Sequence, residues 1–356
     1  MKNPVWRKTL YVLPLLALIA GAIALSQWRG TEFRWDLFGA TLVQLDVGWL
    51  CGALFLIYLT YVGRALRWRV LLLPLRDRPS IRNLLVATII GFTAIVLFGR
   101  PGELVRPYLI ANKEKVPFSS QMAAWLLERI YDLLVVLLLF GFALARFDQT
   151  TPPSGQMGPA MTFVFHVGGR VVAVTCLACL AVLVLSSLYL PFFMRLVMRA
   201  LVFLPQAWHR RIRQFLDAFV TGMQSTRRLS SVLAIVAYTV VEWLIIVAST
   251  YFLLLSVPAT NGLRWIDALV IVGFIAFGSV VQVPGVGGGA QIATTVVLTE
   301  LYGLPLEVST GIAVLLWIVT FVSVVPLGLG LAAREGLNWG KLRHLEEKEL
   351  EVKEIA

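Results

Sequence analysis

Apolar runs of bilayer length decide what this chain can fold into. A spanning helix needs ~20 predominantly apolar residues. Such runs lie at about 10–27, 47–63, 121–145, 170–190, 231–256 and 308–331. Two further apolar regions are interrupted. The first, 83–112, is split at Gly99-Arg100-Pro101-Gly102, and the second, 266–303, is split by the stretch from Val283 to Gly289 (VPGVGGG). Each half of these regions is short for a full span. Broken backbone at membrane depth is tolerated only where protein or a watery cavity surrounds it.

Composition agrees. The chain is 58% hydrophobic and 14% charged, with a mean hydropathy of +0.82. Soluble domains use roughly 45–50% apolar residues. The class is an all-α integral membrane protein. The net charge of +11 does not require nucleic acid, because spanning proteins gather Lys and Arg in cytoplasmic loops. Basic patches interleaved with aromatics on a soluble face, the mark of a nucleic-acid binder, are absent. Cys51, Cys176 and Cys179 lie in apolar runs and read as packing residues. His166, His209 and His344 are scattered, so no metal or other cofactor is expected. The basic head (Lys2, Arg7, Lys8) and the run after it resemble a signal peptide. No small-x-small site follows at Ser26–Arg29, which favours an uncleaved first helix.

Basic residues set the orientation. They cluster before the first run, after 47–63, after 83–112, through 191–229 and after 308–331. All fall on one side if both termini are cytoplasmic. The region 83–112 is then flanked by basic loops at both ends and must enter and return, as a re-entrant hairpin or as two thin spans. The region 266–303 enters from the opposite side. The order run, run, hairpin, run therefore occurs twice in opposite senses, over 10–145 and 170–333. About six full spans plus two re-entrant hairpins form an inverted repeat in one transmembrane domain, 1–356, with 334–356 as a cytoplasmic tail. In transporters of this plan the substrate sits where the broken helices of the two halves meet.

Charges inside the apolar regions mark the working part, since each costs ~2.5–3.5 kcal/mol or more at a helix centre. Arg100, Glu103 and Arg106 recur every three residues on the first hairpin. If the segment after Pro101 is helical they share one face. Its N-terminus then points free N–H groups at the hairpin tip, where two arginines grip an anion. Alternatively, Glu103 neutralises both arginines and holds the hairpin shape. Glu128 and Asp132, with Arg129 between them, lie two to three turns into the next run. Arg100 or Arg106 is the expected partner. They are either an ion-pair lock or a charged cavity wall. On the second hairpin Pro284, Gly285, Gly287 and Gly288 give a permissive backbone whose N–H groups can converge on an anion or simply turn tightly. Gln282 and Gln291 flank it. Glu242 is a lone intramembrane carboxylate, or it pairs with a buried arginine. Arg64 and Arg67 are expected at the inner interface, snorkelling.

Three blocks carry a family resemblance: Gly99 to Arg106 (GRPGELVR), Glu128 to Asp132 (ERIYD) and Pro284 to Gly288 (PGVGG). Over roughly 10–333 the chain resembles the lysylphosphatidylglycerol synthase transmembrane region, also described as flippase-like. The resemblance implies an inner-membrane protein that moves or handles lipid. Some members carry a soluble aminoacyl transferase that this chain lacks, so lysyl-lipid synthesis is not expected. Gln291 stands near a place where the family often has an acidic residue.

The expected function is a lipid flippase of the cytoplasmic membrane handling an anionic or lipid-linked headgroup. Alternatives are a glycosyl or phosphoryl transferase acting on a lipid-linked substrate and a non-catalytic scaffold in envelope lipid synthesis. The transferase would need a metal-binding acidic pair, and no Asp-x-Asp motif is present. Expected partners are membrane lipid, with a second copy of the chain or an envelope-synthesis protein left open.

Overall fold

Several boundaries in the fold have a local cause. The structure, a computed structural model, describes residues 33–146, 229–279, 281–283, 285 and 287–336, with Val174, Leu177 and Ala178. Helix α1 spans Trp35–Val43 and α2 spans Val47–Leu72. Asp46 caps α2 by accepting from the N–H groups of Gly48 (2.8 Å) and Trp49 (3.2 Å). Its 26 residues make it ~39 Å long, beyond the ~30 Å hydrocarbon layer. Helix α3, Ile81–Phe98, starts at the Ser80 cap and stops at Gly99, whose φ of 73° no side chain favours. A 3₁₀ turn, Arg100–Leu104, leads into α4, Val105–Glu114. The sequence placed the new helix near Pro101; it begins as this tighter turn. Then come α5, Phe118–Arg146, and, after residues that are not described, α6, Leu229–Ser256.

The second broken region is also a pair of helices joined by a non-helical tip, built differently. Helix α7, Trp265–Gly278, is followed by a two-residue antiparallel ribbon, β1 (Gln282–Val283) with β2 (Gly287–Gly288). Gln282 faces Gly288 in it, and Val283 faces Gly287. Helix α8, Gly289–Val296, runs on as a π turn over Val297–Leu301. Helix α9, Leu306–Trp317, passes through another π turn, Ile318–Val322, into α10, Val325–Arg334.

Among the described residues four helical stretches are long and apolar enough to cross a membrane: Val47–Leu72, Ile81–Phe98, Ser230–Ser256 and Leu306–Arg334. The expected run 121–145 is α5, interrupted by Glu128, Arg129 and Asp132. The runs at 10–27 and 170–190, the basic segment 191–228 and residues 337–356 of the tail lie outside the described residues, apart from Val174, Leu177 and Ala178.

The two hairpins stand on opposite ends of the bundle. Glu114 closes the base of the first. It accepts from Asn83 Nδ2 (2.7 Å), pairs with Arg76 Nε (3.0 Å), and its backbone carbonyl accepts from the Arg76 guanidinium. The base of the second lies at the other end, where Tyr302 donates to Asp267 (3.2 Å) and Asp46 N–H bonds Ser256 O (2.9 Å). Both hairpins close tightly on glycine. A Cβ on Gly102 would sit 2.3 Å from Ala94 O, and one on Gly278 2.3 Å from Gly289 O. Their tips touch: Gly285 N–H donates to Val96 O at 2.8 Å, and Arg100 Nη2 donates to Ser279 O at 3.1 Å.

Gly102→Ala is expected to destabilise the protein by about 1–3 kcal/mol, because backbone rather than a movable side chain blocks the new methyl. Gly63→Ala, with nothing within 4 Å, should be neutral or gain about 0.5–1 kcal/mol in mid-helix. Thermal unfolding of both variants in detergent checks the contrast.

Candidate functional site

Where the hairpin tips meet they enclose a cavity of about 200 Å³. Its charged lining comes from Arg64 of α2, Arg100 and Glu103 of the first tip, and Arg129 and Asp132 of α5. Gly287 and Gln291 contribute from the second tip. Five aromatic rings, Tyr61, Phe92, Trp243, Trp317 and Phe321, share the rest of the wall with aliphatic and hydroxyl side chains. Trp317, the last residue of α9, and Phe321, within the π turn that follows, reach the cavity from a distortion common at functional sites.

Behind the lining runs an ion-pair network joining four helices. Arg67, fully buried on α2, is its centre. Its guanidinium donates to Asp132 Oδ1 (2.6 Å), to Glu128 Oε1 and to Thr239 Oγ1 (2.9 Å), and lies 3.4 Å from Glu242 Oε2. Glu128 also binds both terminal nitrogens of Arg106 and accepts from Trp68 Nε1 at 2.9 Å. Arg64 lies 2.6 Å from Glu242 Oε1, off the usual hydrogen-bond directions. Arg106 stacks over Trp68 (4.7 Å) and Arg64 over Phe92 (4.5 Å). Arg129 is held loosely, 3.8 Å from Glu128 and 3.9 Å from Asp132, with its side chain 36% exposed.

The sequence profile of the lysylphosphatidylglycerol synthase TM region matches residues 12–328. The chain belongs to that family. No curated protein and no solved structure matches it. Membership makes it a multi-pass membrane protein of lipid biosynthesis or transport.

In this member of the lysylphosphatidylglycerol synthase TM family the site candidates divide into two shells. Arg100, Glu103, Arg129, Asp132, Gly287 and Gln291 face the cavity. Arg106, Glu128 and Glu242 lie behind it, bound in the network. The arginines of the first motif do not share one exposed face. Arg100 pairs with Glu103 (2.9 Å) at the tip, whereas Arg106 turns inward and pairs with Glu128. The intervening 3₁₀ turn changes the angular step between them. Asp132 takes Arg67 rather than a hairpin arginine. On the second tip Gln291 Oε1 accepts from Gly288 N–H (2.7 Å) and closes the turn, while Gly285 is spent on Val96. Pro284 is outside the described residues.

Arg64 and Arg67 correct the snorkelling expectation. They extend no head to an interface; both point into the bundle. A charge late in a long helix ordinarily marks the end of a span. Yet Ile57, Tyr61, Arg64, Trp68 and Leu71 continue one buried face at helical spacing, and Arg69 stands exposed beside them. That unbroken periodicity was the available signal. Among the described residues no group of His, Cys, Asp or Glu is placed to hold a metal ion.

Removing Arg67 strands carboxylates in a dry interior. Arg67→Ala is expected to cost about 3–5 kcal/mol. Arg67→Lys should recover only part of it, because one ammonium cannot reproduce the fork shared by Glu128 and Asp132. Arg129→Ala, losing only loose contacts, should cost less than about 1 kcal/mol. Unfolding midpoints of the three purified variants provide the ranking.

Proposed function

We propose that the protein is a lipid translocase of the cytoplasmic membrane, with the lipid headgroup held in the cavity between the hairpin tips. The observation that carries this reading is the contact of two broken hairpins, based at opposite ends of the bundle, around one charged and aromatic chamber. A pathway for an amphiphile needs polar groups at mid-depth reachable from both ends. Polar groups supplied by both hairpins at one meeting point meet that need.

On this reading the hairpins are re-entrant and belong to inverted halves, 10–145 and 170–333. The end bearing Arg76, Arg78, Arg82, Lys113, Lys115 and Arg334 faces the cytoplasm, as do both termini. Arg100, Glu103, Arg129, Asp132 and Gln291 contact an anionic or lipid-linked headgroup. Arg106, Glu128 and Glu242 fix the charged wall from behind, and Gly285, Gly287 and Gly288 shape the second tip. The aromatic wall accepts the apolar neck of the lipid. No bond is made or broken in this process, and no cofactor takes part.

The purified protein in vesicles should speed the movement of tail-labelled phospholipid between leaflets, read by quenching of the outer-leaflet dye. Arg100→Ala and Glu103→Ala should each slow it roughly tenfold, the worth of one charge-assisted contact of about 1.5 kcal/mol. Movement at the wild-type rate in both variants would defeat the assignment.

A further inference from the structure

One carboxylate of the ion-pair network is unlike the other two. Asp132 Oδ1 accepts from Arg67 at 2.6 Å, and Glu128 accepts from Arg67, Arg106 and Trp68. Glu242 on α6 is as deeply buried, with 1% of its side chain exposed, yet neither of its oxygens is in a hydrogen bond. Only charge nearby keeps it ionised. Arg64 and Arg67 face it from α2, and Glu128 and Asp132, of its own sign, face it from α5. Arg106 of α4 and Arg129 of α5 pair with Glu128 and Asp132 instead. Helices α7 and α9 also pack on α6, but their acidic residues are engaged elsewhere, Asp267 with Arg264 and Tyr302, and Glu307 with the Arg34 amide.

Arg67 is already shared among Asp132, Glu128 and Thr239. That leaves Arg64, 2.6 Å away, as the cation on which Glu242 depends. Arg64 has a second place to rest. It lines the cavity, 11% of its side chain is exposed, and its guanidinium lies 4.5 Å over the ring of Phe92, another lining residue. The same side chain therefore serves the buried carboxylate and the chamber wall. A carboxylate deprived of its cation at this depth takes a proton rather than stay charged.

We infer that Glu242 is a proton-binding site coupled to the cavity through Arg64: an anion that engages Arg64 in the chamber makes Glu242 take up a proton, and its departure releases that proton and restores the pair. The inference rests on the translocase reading and adds to it an ion that moves with the cargo. Arg64 stays protonated throughout. The proton comes from solvent and adds to a carboxylate oxygen of Glu242, and the bound molecule itself undergoes no reaction. A monoanion and a proton together carry no net charge. The interior therefore holds the same charge with the chamber empty or filled, and the pair moves across the membrane without work against the membrane potential.

Calorimetric titration of the full-length protein in maltoside detergent tests this with octyl sulfate, a monoanion that has no titrating group near neutral pH. Repeating the titration in buffers of different ionisation enthalpy gives the protons taken up per anion bound. The wild-type protein should take up as much as about one proton, and its affinity should tighten as pH falls, by up to about tenfold per pH unit. Glu242→Gln should bind the anion with no uptake and lose that pH dependence. Arg64→Gln provides a second variant. Its Glu242 lacks the cation from the start and holds its proton throughout, so uptake should again vanish. No uptake by the wild-type protein, through failure to bind or through binding without a proton, would overturn the inference. Wild-type uptake in either variant would also overturn it. Leaflet movement in vesicles separates the two claims. Proton uptake on anion binding without any leaflet movement would leave the proton site standing and remove the translocase. Leaflet movement intact, with anion binding that draws no proton, would do the reverse.

Discussion

Arg67 is the residue on which the interior depends. It stands fully buried in an apolar bundle and binds carboxylates from α5 and α6 at once. Glu128 hands the connection on to Arg106, so the first hairpin is tied to the same knot. A charge of either sign left alone at this depth would be expelled or neutralised. Together they fix α2, α4, α5 and α6 in one arrangement. Apolar packing between spanning helices in lipid is weakly directional, because acyl chains offer much the same contacts. The ion pairs supply the direction. They also explain why the cavity keeps its charged wall: Asp132 is held by Arg67 and Arg129 approaches it loosely, so only one of the two is free to turn.

Much of this was legible in the chain. Among the described residues the apolar runs correspond to helices, and Pro101 with Gly99 and Gly102 marked the first break. The glycine-rich stretch marked the second, and the basic loops separated the two hairpin bases. Arg100, Glu103, Arg129 and Asp132, which line the cavity, stand out in the sequence because a charge within an apolar run is expensive. Arg64 and Arg67 were misread for the same reason inverted. They sit late in a long helix, where a charge ordinarily means water is near. Hydropathy averages over all faces of a helix, and what matters here is one face. Partner choice was equally out of reach. Sequence spacing offered Arg100 or Arg106 to the acidic pair alike. Only the 3₁₀ turn at Arg100–Leu104 decides that one stays at the tip and the other turns inward. The aromatic wall was invisible for a plainer reason. In a chain this rich in aromatics, Trp243 and Trp317 differ from the rest only by where the helices place them.

The paired network and the loosely held lining differ in how freely they can move. Groups locked by several charge-assisted bonds are rigid. They set the potential of the chamber without following its contents. Groups held at 3.8 or 3.9 Å exchange partners at little cost. The same contrast separates the hairpin feet from their ends. Glu114 clamps the first foot through side chain and carbonyl together, while at the far end Arg100 is half exposed.

The link from the Gly285 amide to the Val96 carbonyl is made of main chain alone. Ordinary side-chain replacement leaves such a joint untouched. Changes to the side chains that line the chamber can therefore alter its chemistry while this main-chain contact between the hairpin tips stays in place.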